Sequence, residues 1–161
     1  MDQIKPSATG KPAGASGCTC FKLRRLTRRM TAVYDRALSE AGMRVTQYSL
    51  LTHLRGLHGV AMSELAEMLD MDRTTLTRNL RPLVEAGWIE VKPSTEDARI
   101  RLVHITPSGE MHWRAARVCW RQAQQEVNST IGSVGLAELH RMLDNYVPLF
   151  RAVPGDQGEP K

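Results

Sequence analysis

Three arginines and three threonines fall within nine residues, Arg73-Thr-Thr-Leu-Thr-Arg78 followed by Arg81. At helical spacing, Leu76, Leu80, Leu83 and Val84 face inward, while Arg73, Thr74, Thr77, Arg78 and Arg81 share the other side. Guanidinium forks and short hydroxyls on one open helix face suit nucleic acid. An arginine can take a guanine through two hydrogen bonds, and a threonine can reach any base edge or a phosphate. Arg73 and Arg78 are therefore candidates for guanine, and Thr74, Thr75 and Thr77 for base edges or phosphates near the helix start. Arg81, further along, is a candidate for phosphate. A second group, Lys92, Asp97, Arg99 and Arg101, follows in a β-rich segment. Arg99 is expected at a hairpin tip, reaching into a minor groove, with Asp97 holding its guanidinium by a charge-assisted pair.

These side chains need a particular frame. Met62-Ser-Glu-Leu-Ala-Glu-Met-Leu69 has a helical pattern with Leu65, Ala66 and Leu69 on one face, and a turn follows, Asp70-Met-Asp-Arg73. The second helix runs from about Arg73 to Ala86, and Gly87 ends it as a residue free to take the left-handed conformation. Two β-rich runs, Trp88–Lys92 and Ile100–Ile105, flank the polar turn Pro93–Arg99. Helix, turn, helix and hairpin in that order make a winged helix-turn-helix, whose second helix can enter a major groove. Upstream, Phe21 to about Ala41 carries Leu23, Leu26, Met30, Val33, Tyr34, Ala37 and Leu38 on one stripe, and Gly42 stops it. Thr46 is expected to cap a helix with Leu50, Leu51, Leu54 and Leu57 inward, ending near Gly59. Downstream, Thr106-Pro107 is a strong helix start, a capping hydroxyl before a proline in the first turn. That helix extends to roughly Thr130 with Met111, Ala115, Val118, Val127 and Ile131 in register, and Gly132–Gly135 breaks it. A last helix carries Leu136, Leu139, Leu143, Val147 and Phe150.

The fold class expected is mainly α with a small β-hairpin wing: a winged helix-turn-helix plus N- and C-terminal dimerisation helices. The DNA-binding lobe is read as residues 46–106, and the dimerisation helices as 18–42 and 107–152, within a domain spanning 18–152. Terminal apolar stripes have no obvious place on a small winged core. Pairing with a second copy suits a two-fold operator.

At 161 residues the chain is one domain with a proper core. A net charge of +5 favours a polyanionic partner. Charge position says more: Lys22, Arg24, Arg25, Arg28, Arg29 and Arg36 crowd one early helix. No apolar run approaches the ~20 residues of a membrane helix, so no membrane partner is expected. Residues 1–17, rich in Lys, Pro, Gly, Ala and Ser, read as a disordered arm rather than a secretory signal, and 153–161 as a frayed tail. Three cysteines without disulfide spacing fit a reducing cytoplasm. The five histidines show no metal-ligand pairing, so neither a metal nor another cofactor is expected. No nucleophile–base pair, phosphate loop or paired carboxylate marks an enzyme. Two other classes remain, an adaptor that has lost DNA binding and an architectural protein that binds any sequence.

The order of elements and the residues themselves resemble the MarR family of bacterial transcription regulators, over roughly Phe21 to Phe150. Asp97-Ala-Arg99, then Val103-His-Ile-Thr106 and Gly109, resembles the family's D-x-R wing leading into L-x-L-T-x-x-G. Thr46-Gln47, Leu65-Ala66, Arg73–Arg78 and Leu83-Val-Glu-Ala-Gly87 also fall in family register. The resemblance implies an obligate homodimer of triangular shape on double-stranded DNA, with two winged lobes on successive major grooves. It also implies control by a small ligand or by oxidation. Ala98 departs from the pattern where many members carry a second arginine, and Ala61 where a capping Ser or Thr is usual.

Two sensors compete. Cys20-Phe21, with Arg28, Met30-Thr31 and Tyr34 downstream, resembles the first helix of the organic-hydroperoxide regulators of this family. That resemblance implies a peroxide-reactive Cys20, hydrogen-bonded by Tyr34, with Cys18 as a resolving thiol. Two further tyrosines of that group fall at Arg24 and Val45 here. A thiol at a helix start near Lys22 and Arg24 is in a setting that favours nucleophilicity. Cys119, mid-helix, reads as packing. The other sensor is a pocket for a small aromatic or phenolic acid, which the resemblance implies between the first two helices, the long helix and the winged lobe. Residues suited to it are Arg28, Tyr48, His53, Trp113, Arg117 and Trp120. An arginine flanked by tryptophans can hold a carboxylate beside a stacked ring, or form a cation–π contact of its own.

Overall fold

The computed structural model describes residues 17–150. The expected arm at 1–17, save Gly17, and the tail at 153–161 lie outside the described residues. In chain order the elements are α1 (Thr19–Leu38), a 3₁₀ turn (Ser39–Ala41), α2 (Val45–Leu54), β1 (Val60–Ala61), α3 (Met62–Met68) and α4 (Arg73–Glu85). Then come β2 (Ile89–Pro93), β3 (Arg101–Ile105), α5 (Pro107–Ile131), α6 (Ser133–Tyr146) and a final 3₁₀ turn (Val147–Phe150).

The helix boundaries follow from local chemistry, and those of α2 differ from expectation at both ends. Thr46 does not cap α2; it lies inside the helix, whose N-cap position is Arg44. The orphan amides are met from elsewhere: Val45 N–H donates to Asp35 Oδ1 of α1 (2.8 Å) and Arg44 N–H to Gln47 Oε1 (2.8 Å). The α1–α2 corner is thus tied by a side chain ten residues upstream. α2 stops at Leu54, so Leu57 lies beyond it and is exposed rather than inward. At the other end of the lobe, Thr106 caps α5 as expected, its Oγ1 accepting from Gly109 N–H at 3.0 Å with Pro107 in the first turn. Gly87, at φ +68°, closes α4 with bonds from Gly87 N–H to Val84 O (2.9 Å) and Trp88 N–H to Leu83 O (2.9 Å).

The sheet has three antiparallel strands in the order β1-β3-β2, with Val60 opposite Val103 and Ile89 opposite Ile105. The two-residue β1 pairs the loop after α2 with the wing. The core sits under it: Leu38, Leu51, Leu54, Leu65, Leu76, Leu83, Ile89 and Val103 are fully buried. Val84, expected inward, is exposed on the far shoulder of α4.

The long helix also turns differently from expectation. Met111, Ala115 and Val118 are exposed, and α5 buries Trp113, Ala116, Ala123 and Val127 against α1 and α2. The small alanines allow close helix approach, and the indole of Trp113 supplies the volume. A large ring next to small residues decides the buried face more strongly than a count of aliphatic side chains does. α6 buries no residue and leaves Leu143 exposed; Val147 and Phe150, expected on the same helix, lie in the 3₁₀ turn after it and are exposed too. The first turns of α1 likewise leave Phe21, Leu23 and Leu26 open. Among the described residues, no helix is long and apolar enough to cross a membrane.

Candidate nucleic-acid interface

α4 is capped by Asp72, whose carboxylate accepts from Thr75 N–H (2.8 Å) and from Thr75 Oγ1 (2.5 Å). These bonds, the hydroxyl first and the amide second, hold the Asp72 carboxyl below its usual range. They also change the assignment of Thr75. Its hydroxyl is turned back into the cap instead of outward, because the helix start needs its amides satisfied. Thr77 Oγ1 donates to Arg73 O at 2.7 Å, the common back-bond of a mid-helix threonine. Arg73, Thr74 and Arg78 stand exposed on the outer face of α4. Arg81 pairs one turn on with Glu85, Nε to Oε1 at 2.7 Å, which raises its pKa further; both side chains are well exposed.

The wing turn is held by backbone bonds. Ser94 N–H donates to Ile100 O (2.8 Å) and Ile100 N–H to Asp97 O (2.9 Å). Asp97 Oδ1 accepts from the backbone N–H of Arg99 at 2.9 Å. The expected clamp on the Arg99 guanidinium is therefore not what Asp97 makes. A carboxylate two residues before an amide closes an Asx turn, which is nearer and entropically cheaper than a long guanidinium. Lys92 is paired with Glu90 of the same strand, and Arg101 opens β3 opposite Pro93. Arg73, Arg99 and Arg101 line one crevice of about 170 Å³ together with Ser63. Beside it runs a larger groove, about 470 Å³, lined by Leu80, Val84 and Val91 together with Arg73, Arg101 and the paired Arg81 and Glu85.

The residues assigned to sensing separate into two places. Tyr48 stacks on Trp113 (centroids 5.7 Å, planes 9° apart) and on Trp120 (5.8 Å, 17°). The two tryptophans sit two turns apart on α5, so Tyr48 stands between them. Arg55 covers Trp113 at 3.5 Å from the ring centroid, and Arg117 lies at 5.6 Å. Trp113 Nε1 donates to Thr52 Oγ1 (2.8 Å), and Arg55 Nε binds both oxygens of Glu110 (3.1 and 2.9 Å). Arg55, Glu110 and Thr52 were not among the expected site residues; their only sequence signal is an acid in the first turn of a helix. The rings fill one another's faces, so this cluster is a packed joint between α2 and α5. Arg28 and His53 do not belong to it: both are exposed, and His53 Nδ1 lies 2.8 Å from Ser49 O.

Cys18 and Cys20 are exposed at the start of α1. Cys20 lines a groove of about 640 Å³ with Leu23, Arg24, Thr27, Arg28 and Phe150. Tyr34 is not beside it. Fourteen residues of helix separate them by about 21 Å, and the Tyr34 hydroxyl donates to Gln124 Oε1 at 2.7 Å. One protomer alone thus does not bring Tyr34 to Cys20. Among the described residues no His, Cys, Asp or Glu cluster could hold a metal.

Comparison with known proteins agrees with this geometry. A family model described as the MarR family matches residues 43–100. The multiple antibiotic resistance protein MarR of Salmonella typhimurium is 30% identical over 116 residues, covering 69% of this chain and 78% of that protein. The organic hydroperoxide resistance transcriptional regulator of Bacillus subtilis is 32% identical over 92 residues, covering 57% and 63%. The crystal structure of the M. tuberculosis transcriptional regulator MosR in complex with DNA superposes with a TM-score of 0.74 at 33% identity, over 82% of this chain and 95% of that one. A mutant Escherichia coli MarR complexed with operator DNA shares the fold, with a TM-score of 0.72 at 24% identity over 79% and 91%. The winged helix-turn-helix seen here is the fold of these regulators: the chain is a DNA-binding transcriptional regulator and belongs to the MarR family.

Proposed function

We propose that the protein is a cytoplasmic homodimeric repressor that reads a pseudo-palindromic operator and does no enzymatic chemistry. The observation that carries this reading is the outer face of α4, where Arg73, Thr74 and Arg78 are exposed; guanidinium forks and a hydroxyl there suit contact with DNA. Lys92, Arg99 and Arg101 on the wing, with Arg81 at the far end of α4, serve phosphate and minor-groove contacts, while the hydroxyls of Thr75 and Thr77 stay bonded within the helix. Dimerisation is supported by the apolar faces that one chain leaves open at Phe21, Leu23, Leu143, Val147 and Phe150. The layout is then a DNA-binding lobe at 46–106 between dimerisation helices at 18–42 and 107–152. A footprint on its own and neighbouring promoters tests the reading. Protection of two half-sites about one helical turn apart, ~10 bp, is expected. Equal affinity for operator and random duplex would instead make it an architectural protein, and no binding at all an adaptor.

Release by a small aromatic or phenolic acid is supported by the groove between α4 and the wing. Apolar walls at Leu80, Val84 and Val91 suit a ring, and Arg73 and Arg101 suit its one negative charge, since Glu85 already pairs Arg81; an occupant there would obstruct the DNA face. Titrating benzoate- and phenol-class acids against the operator complex tests this. Retention of DNA at millimolar acid sinks it.

Thiol control is the second reading, favoured by the two exposed cysteines and by the name of the Bacillus subtilis relative. A partner protomer would have to bring the activating groups to Cys20. Mass spectrometry after one equivalent of organic hydroperoxide decides it: selective oxidation of Cys20 with loss of DNA binding, reversed by thiol, supports it.

A further inference from the structure

The crevice shared by α3, α4 and the wing gathers charge in a way that neither element shows alone. Arg73 comes from the first turn of α4, Arg99 from the wing turn and Arg101 from the first position of β3; Ser63 is in the first turn of α3. They converge because β1 pairs with β3, Ala61 opposite Leu102, which places the start of α3 beside the start of β3. No Asp or Glu lines the crevice. None of the three arginines makes an ion pair with another described residue, whereas Arg36, Arg55, Arg81 and Arg114 do. Three like charges thus face about 170 Å³, and the acids nearest in sequence, Asp72 and Asp97, are turned to the backbone amides of Thr75 and Arg99 instead of into the crevice lining. The volume suits a small tetrahedral oxyanion, the guanidinium forks match its oxygens, and a serine hydroxyl adds a neutral donor.

Resting on the regulator reading above, we propose that Arg73, Arg99, Arg101 and Ser63 form one oxyanion seat, which takes a single phosphate group of the DNA backbone where the wing meets α4. Arg73 then positions the protein instead of reading guanine, and base selectivity from α4 falls to Thr74 and Arg78. The seat explains how the wing and the recognition helix keep one register on the duplex: both hold the same phosphate. A free phosphate ion has the same chemistry, so the test separates the two sources.

The affinity of the full chain for its operator and for an unrelated duplex of equal length is measured by fluorescence anisotropy over a chloride series. The measurement is repeated with inorganic phosphate replacing chloride at constant ionic strength. Arg101→Ala is expected to lose about tenfold on both duplexes alike and to lower the salt slope by about 1. Ser63→Ala is expected to lose a few-fold on both with the slope unchanged, since a neutral donor releases no counterion. Phosphate should compete with DNA on the wild-type chain and less on Arg101→Ala. If Arg101→Ala binds DNA like wild type but phosphate no longer inhibits, the seat stands and its occupant is the free ion. If Arg101→Ala changes neither DNA affinity nor phosphate competition, or loses affinity on the operator alone, the seat is overturned. Arg78→Ala, losing operator preference in the same series, keeps the regulator reading intact in that event.

Discussion

Replacing Gly109 by alanine sets two effects of opposite sign against each other. Gly109 is the third residue of α5 and is buried. A Cβ there would lie 2.0 Å from the carbonyl oxygen of Trp88 and 2.9 Å from its carbon. That neighbour is backbone, and it cannot swing aside. The same oxygen accepts from Thr106 N–H (3.0 Å) and Thr106 Oγ1 (3.1 Å), the bonds that fasten the base of the wing to the start of the long helix. Forcing a methyl into a packed site costs about 1–3 kcal/mol, and stretching two hydrogen bonds adds about 1 kcal/mol. Against this, alanine gains at most about 1 kcal/mol of helix propensity over glycine. The balance is a loss of about 2 kcal/mol. At about 3 °C per kcal/mol for a chain of this size, thermal unfolding at fixed protein concentration should shift down by about 6 °C. Operator affinity should also fall, because the wing is displaced relative to α5. Thermal denaturation followed by circular dichroism reads the first effect and anisotropy the second. A Gly109→Ala protein that melts higher than wild type would refute the reasoning, since propensity would then have won and the Trp88 contact would carry no weight.

Thr52→Val keeps the shape of the side chain but removes the acceptor for Trp113 Nε1; a loss of about 1 kcal/mol is expected, and calorimetry finding none would place the indole bond elsewhere. Asp97→Asn should retain DNA binding, because the amide oxygen can still accept from the Arg99 N–H, whereas Asp97→Ala should lose it. Equal loss in both variants would restore Asp97 as a charge partner of the Arg99 guanidinium. The carboxyl of Glu110 is held down by Arg55, and that of Asp72 by Thr75. A depressed folded pKa contributes stability above the unfolded value near 4 that is lost as pH falls through the folded one. Stability should therefore decline below about pH 4, and Glu110→Gln should blunt the decline; an unchanged acid profile in that variant contradicts the assignment.

The winged helix-turn-helix was legible in the sequence because its signals are local and redundant. Leu76, Leu80 and Leu83 repeat at helical spacing, Gly87 ends the helix, and Thr106-Pro107 starts the next; each depends on residues within a few positions. β1 was not legible, since two residues have no period, and its pairing with Val103 depends on tertiary placement. The cap of α2 failed for a related reason. Thr46 has the right chemistry for a cap, but Asp35, from another helix, reaches the amide. On α5, aliphatic residues spaced at 111, 115 and 118 gave a plausible stripe. The face was decided by where an indole finds two stacking partners and a hydroxyl. Within the site, residue types were readable and hydrogen-bond partners were not. Thr75 and Asp97 are polar groups in the expected segments, but each satisfies the backbone next to it first.

This outcome bears on how a signal could travel. Tyr48, Trp113 and Trp120 read as a ligand pocket by type, yet they pack against one another, and Arg55 and Glu110 fasten the same junction from outside. A packed joint holds few states, so it transmits displacement instead of absorbing it. The DNA lobe meets the long helix at two such joints: this one, between α2 and α5, and the contact of Trp88 with Gly109 and His112, where the two rings stack at 4.9 Å. An event that shifts α5, whether thiol chemistry at the start of α1 or a rearrangement of the open apolar faces, then reaches the wing through these joints and through Thr106, where β3 runs into α5. An occupant of the groove beside α4 needs neither, because it lies on the DNA face itself. Substitutions at the two joints should therefore weaken thiol-driven release while leaving release by a groove ligand intact.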